Sequence, residues 1–385
     1  MTCSCVLADI GLATQTNGEI TICNQSRTSF KQGAELMRLD KHTLAQGWNS
    51  LTRQEIRGSL NNGVRHPNCQ DCWAEEDAGR LSQRNIVNER FKDVVAYQEQ
   101  PRVFMLKPGN ACNLACRHCN PHVSSGWYKD HHKLTATGSF VDYVKTYNYI
   151  RDGYTQDSDV WTTLGQWNDN IVYYDLYGAE PLLIEPLLEL LRSGNSEQTV
   201  HVNTNGTIWQ DDFNEVFGKF KHVELGVSID AIGEQFEYMR YPAKWDHLLA
   251  NLLKYKLLAE KYPSIDLSVC ITASVLNVYY LAEYVQFFHN LGIEVGINFV
   301  HRPDYLNMRI LPTKVKQKVI SKLHSAGFAN GWDSKIDHII NFLMLDHDAS
   351  EQLMTEMWAF TNSYDTIRKQ NYADTFKEFY EILNE

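Results

Sequence analysis

Long apolar runs are missing from this 385-residue chain. A membrane-spanning helix needs about eighteen or more uncharged hydrophobic residues in a row, and no such stretch occurs. The opening residues, Met1-Thr2-Cys3-Ser4-Cys5, lack the basic-then-apolar order of a secretory signal. Excess positive charge is missing too. The 36 Lys and Arg stand against 47 Asp and Glu, a formal net charge of −11. That balance argues against a nucleic-acid partner, which would ask for phosphate-binding cations. There is no internal repeat, low-complexity tract, P-loop or Ser/His/Asp pattern. Membrane-bound, secreted, collagen-like and disordered readings are set aside on these grounds, and a cytoplasmic location is expected. What is present is an ordinary globular mixture, 43% hydrophobic and 22% charged, with enough apolar material for a sizeable core. The length suits one large catalytic domain with an appendage, or two ordinary domains.

Nine cysteines are the informative feature: Cys3, Cys5, Cys23, Cys69, Cys72, Cys112, Cys116, Cys119 and Cys270. In a reducing compartment, clustered cysteines more often bind metal or do redox work than form disulfides. Cys270 stands alone in the apolar run Leu267 to Ile271 and reads as a core residue. Cys112, Cys116 and Cys119 form a C-x3-C-x2-C triplet. Three thiolates are one short of closing a tetrahedral zinc site or a four-iron cube. Either a fourth ligand is borrowed, with His118 or His122 at hand, or the open position receives a substrate.

Downstream of the triplet, apolar strands alternate with helical patterns. Strands are expected over Arg102 to Lys107, Ile171 to Tyr177, Thr199 to Thr204, Val223 to Ile229, Asp266 to Thr272 and Glu294 to Val300. Helices fall between most of them, for instance Leu182 to Leu191 and Trp245 to Tyr262. Such alternation predicts a parallel sheet with its site at the carboxyl ends of the strands. Six units, not eight, predict an open partial barrel.

The triplet, its Asn113 and its place after an apolar strand resemble the radical S-adenosylmethionine (SAM) superfamily. The resemblance implies an α/β fold: a partial (β/α)6 radical SAM barrel with a small N-terminal domain and a C-terminal helical extension. It implies a [4Fe-4S] cluster on Cys112, Cys116 and Cys119 whose fourth iron binds SAM. An electron from reduced flavodoxin or ferredoxin would cleave SAM to a 5′-deoxyadenosyl radical, which abstracts hydrogen from a substrate carbon. Gly178-Ala179-Glu180-Pro181 resembles the superfamily's Gly-Gly-Glu-Pro motif, whose backbone carbonyls and Glu receive the SAM amino group. Asn205, Ser228 and Asp230 resemble positions that reach the SAM ribose or carboxylate, and Arg240 a carboxylate-binding arginine. His118 takes a place near adenine, and Asn277 is a further cofactor contact.

Cys5 and Cys23 flank Ile20-Thr21-Ile22 behind an Asn17-Gly18 turn, and Cys69 and Cys72 form a C-x2-C. Four thiolates can enclose either zinc or an iron–sulfur cluster, and spacing alone leaves both open. The order Cys5, Gly18, Cys23, Trp48-Asn49, Gly63, Cys69, Cys72 and Glu75 to Arg84 is similar to a twitch domain, the shortened SPASM auxiliary-cluster fold, here preceding the barrel. Further likenesses lie at Ser124-Ser125-Gly126-Trp127 and Asp365-Thr366-Ile367-Arg368, with a loose match over about 305 to 355. The implied second [4Fe-4S] cluster rests on Cys5, Cys23, Cys69 and Cys72, with Cys3 as the alternative to Cys5. Expected units are 1–90 (auxiliary cluster), 91–304 (partial barrel) and 305–385 (helical region).

Trp127, Tyr128, His131 and His132 read either as substrate-facing or as helix packing. The insert from about Asn120 to Asn170, with Trp161 and Trp167, is a candidate lid, and the aromatic stripe of Met354 to Ile382 reads as core packing or a dimer contact. The expected substrate is a peptide or protein, although few residues precede Cys5 for a leader-binding domain; the alternative is a small sugar- or nucleotide-like molecule. The competing reading is a non-catalytic zinc or iron–sulfur scaffold or electron carrier.

Overall fold

The computed structural model describes residues 3–96, 99–137, 159–326 and 332–385. Among these residues ten strands form: β1 (Gly11–Thr14), β2 (Ile20–Thr21), β3 (Lys31–Gln32), β4 (Glu35–Leu36), β5 (Val103–Leu106), β6 (Tyr173–Leu176), β7 (Thr199–Thr204), β8 (His222–Ser228), β9 (Ile265–Ala273) and β10 (Glu294–Phe299). Eight of them make one sheet in the order β10-β9-β8-β7-β6-β5-β1-β2, and β3 and β4 pair as a separate hairpin. From β5 to β10 every neighbour is parallel and consecutive. Helices Glu185–Arg192, Phe213–Gly218, Trp245–Lys261 and Leu281–Asn290 lie between successive strands, as parallel pairing requires of its crossovers. This is the α/β architecture of six strand–helix units, open at both edges.

The sheet does not stop at residue 91. Strand β1 pairs in parallel with β5, Leu12 against Phe104, and β2 folds back antiparallel on β1 through the Asn17-Gly18 turn. The amino-terminal segment therefore lengthens the sheet by two strands, crossing the expected boundary at 90/91. Its apolar run Gly11–Thr14 is fully buried, so edge pairing satisfies backbone groups that would otherwise lie orphaned.

The two faces of the sheet differ. Alternate residues of β7, Val200, Val202 and Thr204, are buried against the helices, while Thr199, His201 and Asn203 are half-buried on the inner face. At the β1–β5–β6 end that inner face is covered by apolar packing of Leu7, Ile10, Val87, Phe91, Val103, Met105 and Tyr173. Toward β7–β9 it is polar. Cys270 belongs there, half-buried with Ser268 and Thr272, and not in the core as its apolar flanks suggested. The period of two places it opposite Val269 and Ile271. Among the described residues no helix is long and apolar enough to cross a membrane.

The carboxyl-terminal helix Ser350–Arg368 buries Met357, Phe360, Thr361, Tyr364 and Arg368. The stripe is core packing: Trp127 meets Tyr364 edge-on at 4.8 Å and stacks on Phe360 at 6.4 Å. Residues 138–158 of the candidate lid lie outside the described residues.

Candidate functional site

The cysteine triplet sits on the loop after β5, at the carboxyl end of the sheet. Its backbone is clamped to the segment after β8: Ala115 N donates to Tyr241 O at 2.6 Å and Arg117 N to Met239 O at 2.8 Å. Beneath it, Ser124 Oγ donates to Leu114 O at 2.5 Å, Cys112 N donates to Ser125 Oγ at 3.2 Å, and Trp127 Nε1 donates to Cys116 O at 3.1 Å. Gly126 is obligatory, since a Cβ there would lie 2.4 Å from Leu114 O and 3.2 Å from Cys112 O. Thus Trp127, fully buried, is a buttress of the cysteine loop and not a substrate-facing ring. His131 is likewise buried in packing, and Tyr128 Oη accepts from Asn110 Nδ2 at 2.7 Å.

Arg117, inside the triplet, is fully buried. It pairs with Asp365 at 2.5 Å, donates to Gln370 Oε1 at 2.9 Å and lies over the Tyr238 ring at 4.0 Å. Arg368 pairs with Asp130 at 2.8 Å, equally buried. The terminal helix and the cysteine loop are thereby locked together.

Burial pushes the Cys112 thiol up to about 11. Cys116 is pulled down by its hydrogen bond with Cys119, with Arg240 adding to the effect, and Cys119 is pushed up in return. Arg240 Nη1 lies 3.9 Å from Cys116 Sγ, and Asn205 Nδ2 lies 3.8 Å from Cys112 Sγ. Asn205 also donates to Asn113 Oδ1 at 2.8 Å, and Asn113 to Thr207 Oγ1 at 2.8 Å.

The other strand-end residues gather around the same loop. Asp230, fully buried, has Arg240 Nε at 2.7 Å and His118 Nε2 at 3.5 Å from Oδ2. Asp230 and Arg240 form a buried ion pair, and His118 Nδ1 is buried without a hydrogen-bond partner. Burial raises the Asp230 carboxyl, but Arg240 and His118 outweigh it and hold it below its usual range. Burial pushes the His118 imidazole down.

Glu180 is engaged by groups of the strand ends themselves. It is fully buried, and its carboxylate accepts from Thr204 Oγ1 at 2.7 Å, Leu182 N at 3.1 Å and Asn205 N at 2.5 Å. Its own N–H donates to Ala111 O at 3.1 Å. It is a strut tying the ends of β6 and β7 to the cysteine loop, and burial raises it to about 7. Gly178 and Ala179 both adopt left-handed backbone, φ 83° and 54°. For Ala179 that conformation costs about 1 kcal/mol or more, so the methyl is not the neutral change the tetrapeptide implied. Asn277 spends its amide internally, donating to Asp230 O and Thr272 O and accepting from Ser274. Ser228 Oγ donates to Asn203 Oδ1 at 3.3 Å on the inner face.

The second cysteine group also converges. Cys5, Cys23, Cys69 and Cys72 line one small cavity with Leu7, Ile22, Asn68 and Arg84; Cys3 is not in its wall. Burial pushes Cys5 and Cys69 up to about 12, the neighbouring Cys23 thiol adding to both, and raises Cys23 and Cys72 too. Any cation binding there must displace protons. Arg84 Nη2 pairs with Glu76 at 2.6 Å, and Nη1 donates to Ser4 O at 2.7 Å, holding a positive charge beside the thiols. Among the described residues, no group of three or more His, Cys, Asp or Glu is arranged to hold a single metal ion.

Sequence reading missed one constellation. On the inner face His201 Nδ1 lies 2.7 Å from Asp175 Oδ1, and Asn24 Nδ2 reaches Asp175 Oδ2 at 3.5 Å. Asp175 and His201 are register partners on β6 and β7, but they stand 26 residues apart and carry no motif.

No known protein-family profile matches the chain, and no curated protein matches it. Solved structures do. Native anSMEcpe with bound AdoMet is 15% identical over 58% of this chain and 60% of that one, TM-score 0.39. Streptococcus suis SuiB bound to precursor peptide SuiA is 11% identical over 96% and 74%, TM-score 0.37. TYW1 with a lysine-pyruvate adduct bound is 14% identical over 62% and 73%, TM-score 0.34. The chain spans about 60% of the length of the first of these. At such values the likenesses assign neither activity nor substrate. What the fold and site themselves define is an open parallel α/β sheet carrying a three-thiol loop at its strand ends, Cys116 buried and Cys112 and Cys119 half-buried, with a four-thiol cavity elsewhere.

Proposed function

We propose that the chain is a radical SAM enzyme. The observation that carries this reading is the meeting of Cys112, Cys116 and Cys119 with the loops after β6, β7 and β8 at one end of a parallel sheet. The three thiols would hold a [4Fe-4S] cluster. The buried Arg240–Asp230 pair and the unpartnered His118 Nδ1 fit a charged, polar cofactor beside it. When bound, cluster and SAM supply one-electron cleavage of a carbon–sulfur bond and a 5′-deoxyadenosyl radical that takes hydrogen from a substrate carbon.

The chain's own residues do the rest. Gly178, Ala179 and Pro181 would present backbone to the SAM amino group, while Glu180 positions their loop. Asn205, Ser228, Asp230, Arg240, His118 and Asn277 remain the proposed cofactor shell, Asn277 acting through Asp230. Asp175 Oδ1, 2.7 Å from His201 Nδ1, orients the His201 ring on the inner face.

We extend the proposal to a second [4Fe-4S] cluster on Cys5, Cys23, Cys69 and Cys72, taking an electron from the substrate. The four thiols share one cavity wall, and among the described residues no group of three or more His, Cys, Asp or Glu is arranged around a single ion; together these support a cluster over zinc. Reduced flavodoxin or ferredoxin is the proposed donor, in a cytoplasmic setting. The substrate class we favour is a peptide or protein. The polar face made by buried Asp175 and half-buried His201, Asn203 and Ser228 is the observation that favours the alternative, a small sugar- or nucleotide-like molecule.

The test is anaerobic reconstitution of the full chain followed by dithionite and SAM. Release of 5′-deoxyadenosine and methionine is expected. Iron content near zero, or bound clusters without 5′-deoxyadenosine, would leave the non-catalytic scaffold as the correct reading.

A further inference from the structure

Asn68 stands immediately before Cys69 and is 2% exposed. Its side-chain amide is oriented without ambiguity. The backbone N–H of Thr28 donates to Oδ1 at 2.7 Å and the Thr28 hydroxyl at 3.0 Å, so the oxygen must face Thr28 and the nitrogen must face away. Its main chain is fixed as well, N donating to His66 Nδ1 at 3.1 Å and O accepting from Arg27 N at 3.3 Å. Asn68 lines the four-cysteine cavity, yet Nδ2 is buried with no hydrogen-bond partner. Two other polar groups on that wall are engaged: Gln83 donates to Asn24 Oδ1 at 2.5 Å, and Arg84 to Glu76 and Ser4. A buried amide donor left unmet is costly and rare in folded proteins. A guest carrying electron-rich sulfur would satisfy it.

We propose that Asn68 is a positioning and potential-tuning residue of the auxiliary centre: its Nδ2–H donates to a sulfur of the bound cluster, a sulfide or the Cys69 thiolate. This rests on the reading of Cys5, Cys23, Cys69 and Cys72 as a cluster site. Reduction adds negative charge to the sulfurs, so a donor aimed at them stabilises the reduced form and raises the potential. Removing the donor should favour the oxidised form by about tenfold at fixed potential, which for one electron is about 59 mV.

The experiment uses the full-length chain with Cys112, Cys116 and Cys119 replaced by Ala, reconstituted anaerobically so that only the auxiliary centre is read. Iron and zinc are counted first. If this protein holds zinc or no iron, the cluster reading itself fails. With a cluster present, Asn68→Leu is compared with the parent by EPR-monitored redox titration, and a potential lower by about 59 mV is expected. Thr28→Val removes only the hydroxyl and keeps the backbone N–H anchor, so its potential should stay at the parent value. An unchanged potential in Asn68→Leu overturns the role of Asn68 while leaving the cluster intact. Should Asn68→Leu fail to load, the parent protein decides. Side-chain 15N-labelled asparagine must then couple to the reduced cluster in pulsed EPR, with an exchangeable proton; no such coupling overturns the proposal.

Discussion

The two cysteine centres are built in opposite ways. Cys112, Cys116 and Cys119 lie within eight residues, on a loop clamped from three sides by backbone hydrogen bonds and by the buried Arg117–Asp365 pair. Cys5, Cys23, Cys69 and Cys72 come from three distant segments brought together by the β1–β2 hairpin and the helix Gln70–Asp77. The first centre is bordered by the buried Asp230–Arg240 ion pair and by His118, whose Nδ1 has no hydrogen-bond partner. The second has one settled cation, Arg84, and one unmet neutral donor, Asn68. A site that must receive and orient a charged cofactor keeps polar atoms open. A site that holds a redox group needs enclosure and fine adjustment of its potential.

The harshest way to break the comparison is to remove one centre and keep the other. Replacing Cys112, Cys116 and Cys119 with Ala should lower 5′-deoxyadenosine formation at least a thousandfold, the scale of losing an essential catalytic group. The auxiliary absorbance should remain. Loss of both clusters together would sink the division into two sites.

Next in size is the lock on the first loop. Arg117→Met takes the cation from the largely buried Asp365 carboxylate, which keeps Tyr238 Oη and Tyr372 N as donors, and breaking a buried ion pair costs about 3–5 kcal/mol. Urea unfolding of the metal-free chain measures it. A loss below about 1 kcal/mol would mean that the terminal helix does not hold the loop. The auxiliary centre should lose less iron than the triplet in this variant.

The triplet and the six strands were legible because their signals are local: cysteine spacing and alternation of apolar runs. The strand ends were legible for the same reason, since a motif such as Gly178 to Pro181 is contiguous. What a residue does there was less legible. Glu180 and Asn277 look like ligand-binding side chains in one dimension, yet their partners Thr204, Asn205, Asp230 and Thr272 are supplied by neighbouring strands. His201 and Asp175 went unread because only the β6–β7 register brings them together. Strand β1 was hidden by its length, four residues whose partner β5 lies some ninety residues on.

Glu180 offers a pH test. Its carboxyl titrates near 7 in the fold, above the ordinary value near 4.5, because burial outweighs its three donors. The protonated form is therefore the favoured one in the folded chain. The stability it confers is complete below about pH 4.5 and is lost as pH rises through 7. Relative to Glu180→Gln, the native metal-free chain should lose on the order of 3 kcal/mol between pH 4.5 and 7. A flat difference across that window would show the donors, not burial, to be in control.

Ala179 gives the smallest effect and separates the centres most cleanly. It sits at φ 54° in the loop that Glu180 ties to Ala111, where only glycine is unstrained. Ala179→Gly relieves that strain but also frees the unfolded chain, which costs roughly 0.4–1 kcal/mol. The net gain expected is therefore about 0.5 kcal/mol, read as a small rise in the urea midpoint. The triplet's loop is anchored here and the four-cysteine cavity is not, so the gain should appear in the metal-free chain without any change in auxiliary iron. A loss of stability would mean that the left-handed turn is held by contacts of the Ala179 methyl, and that the strain at the strand end is already compensated by packing.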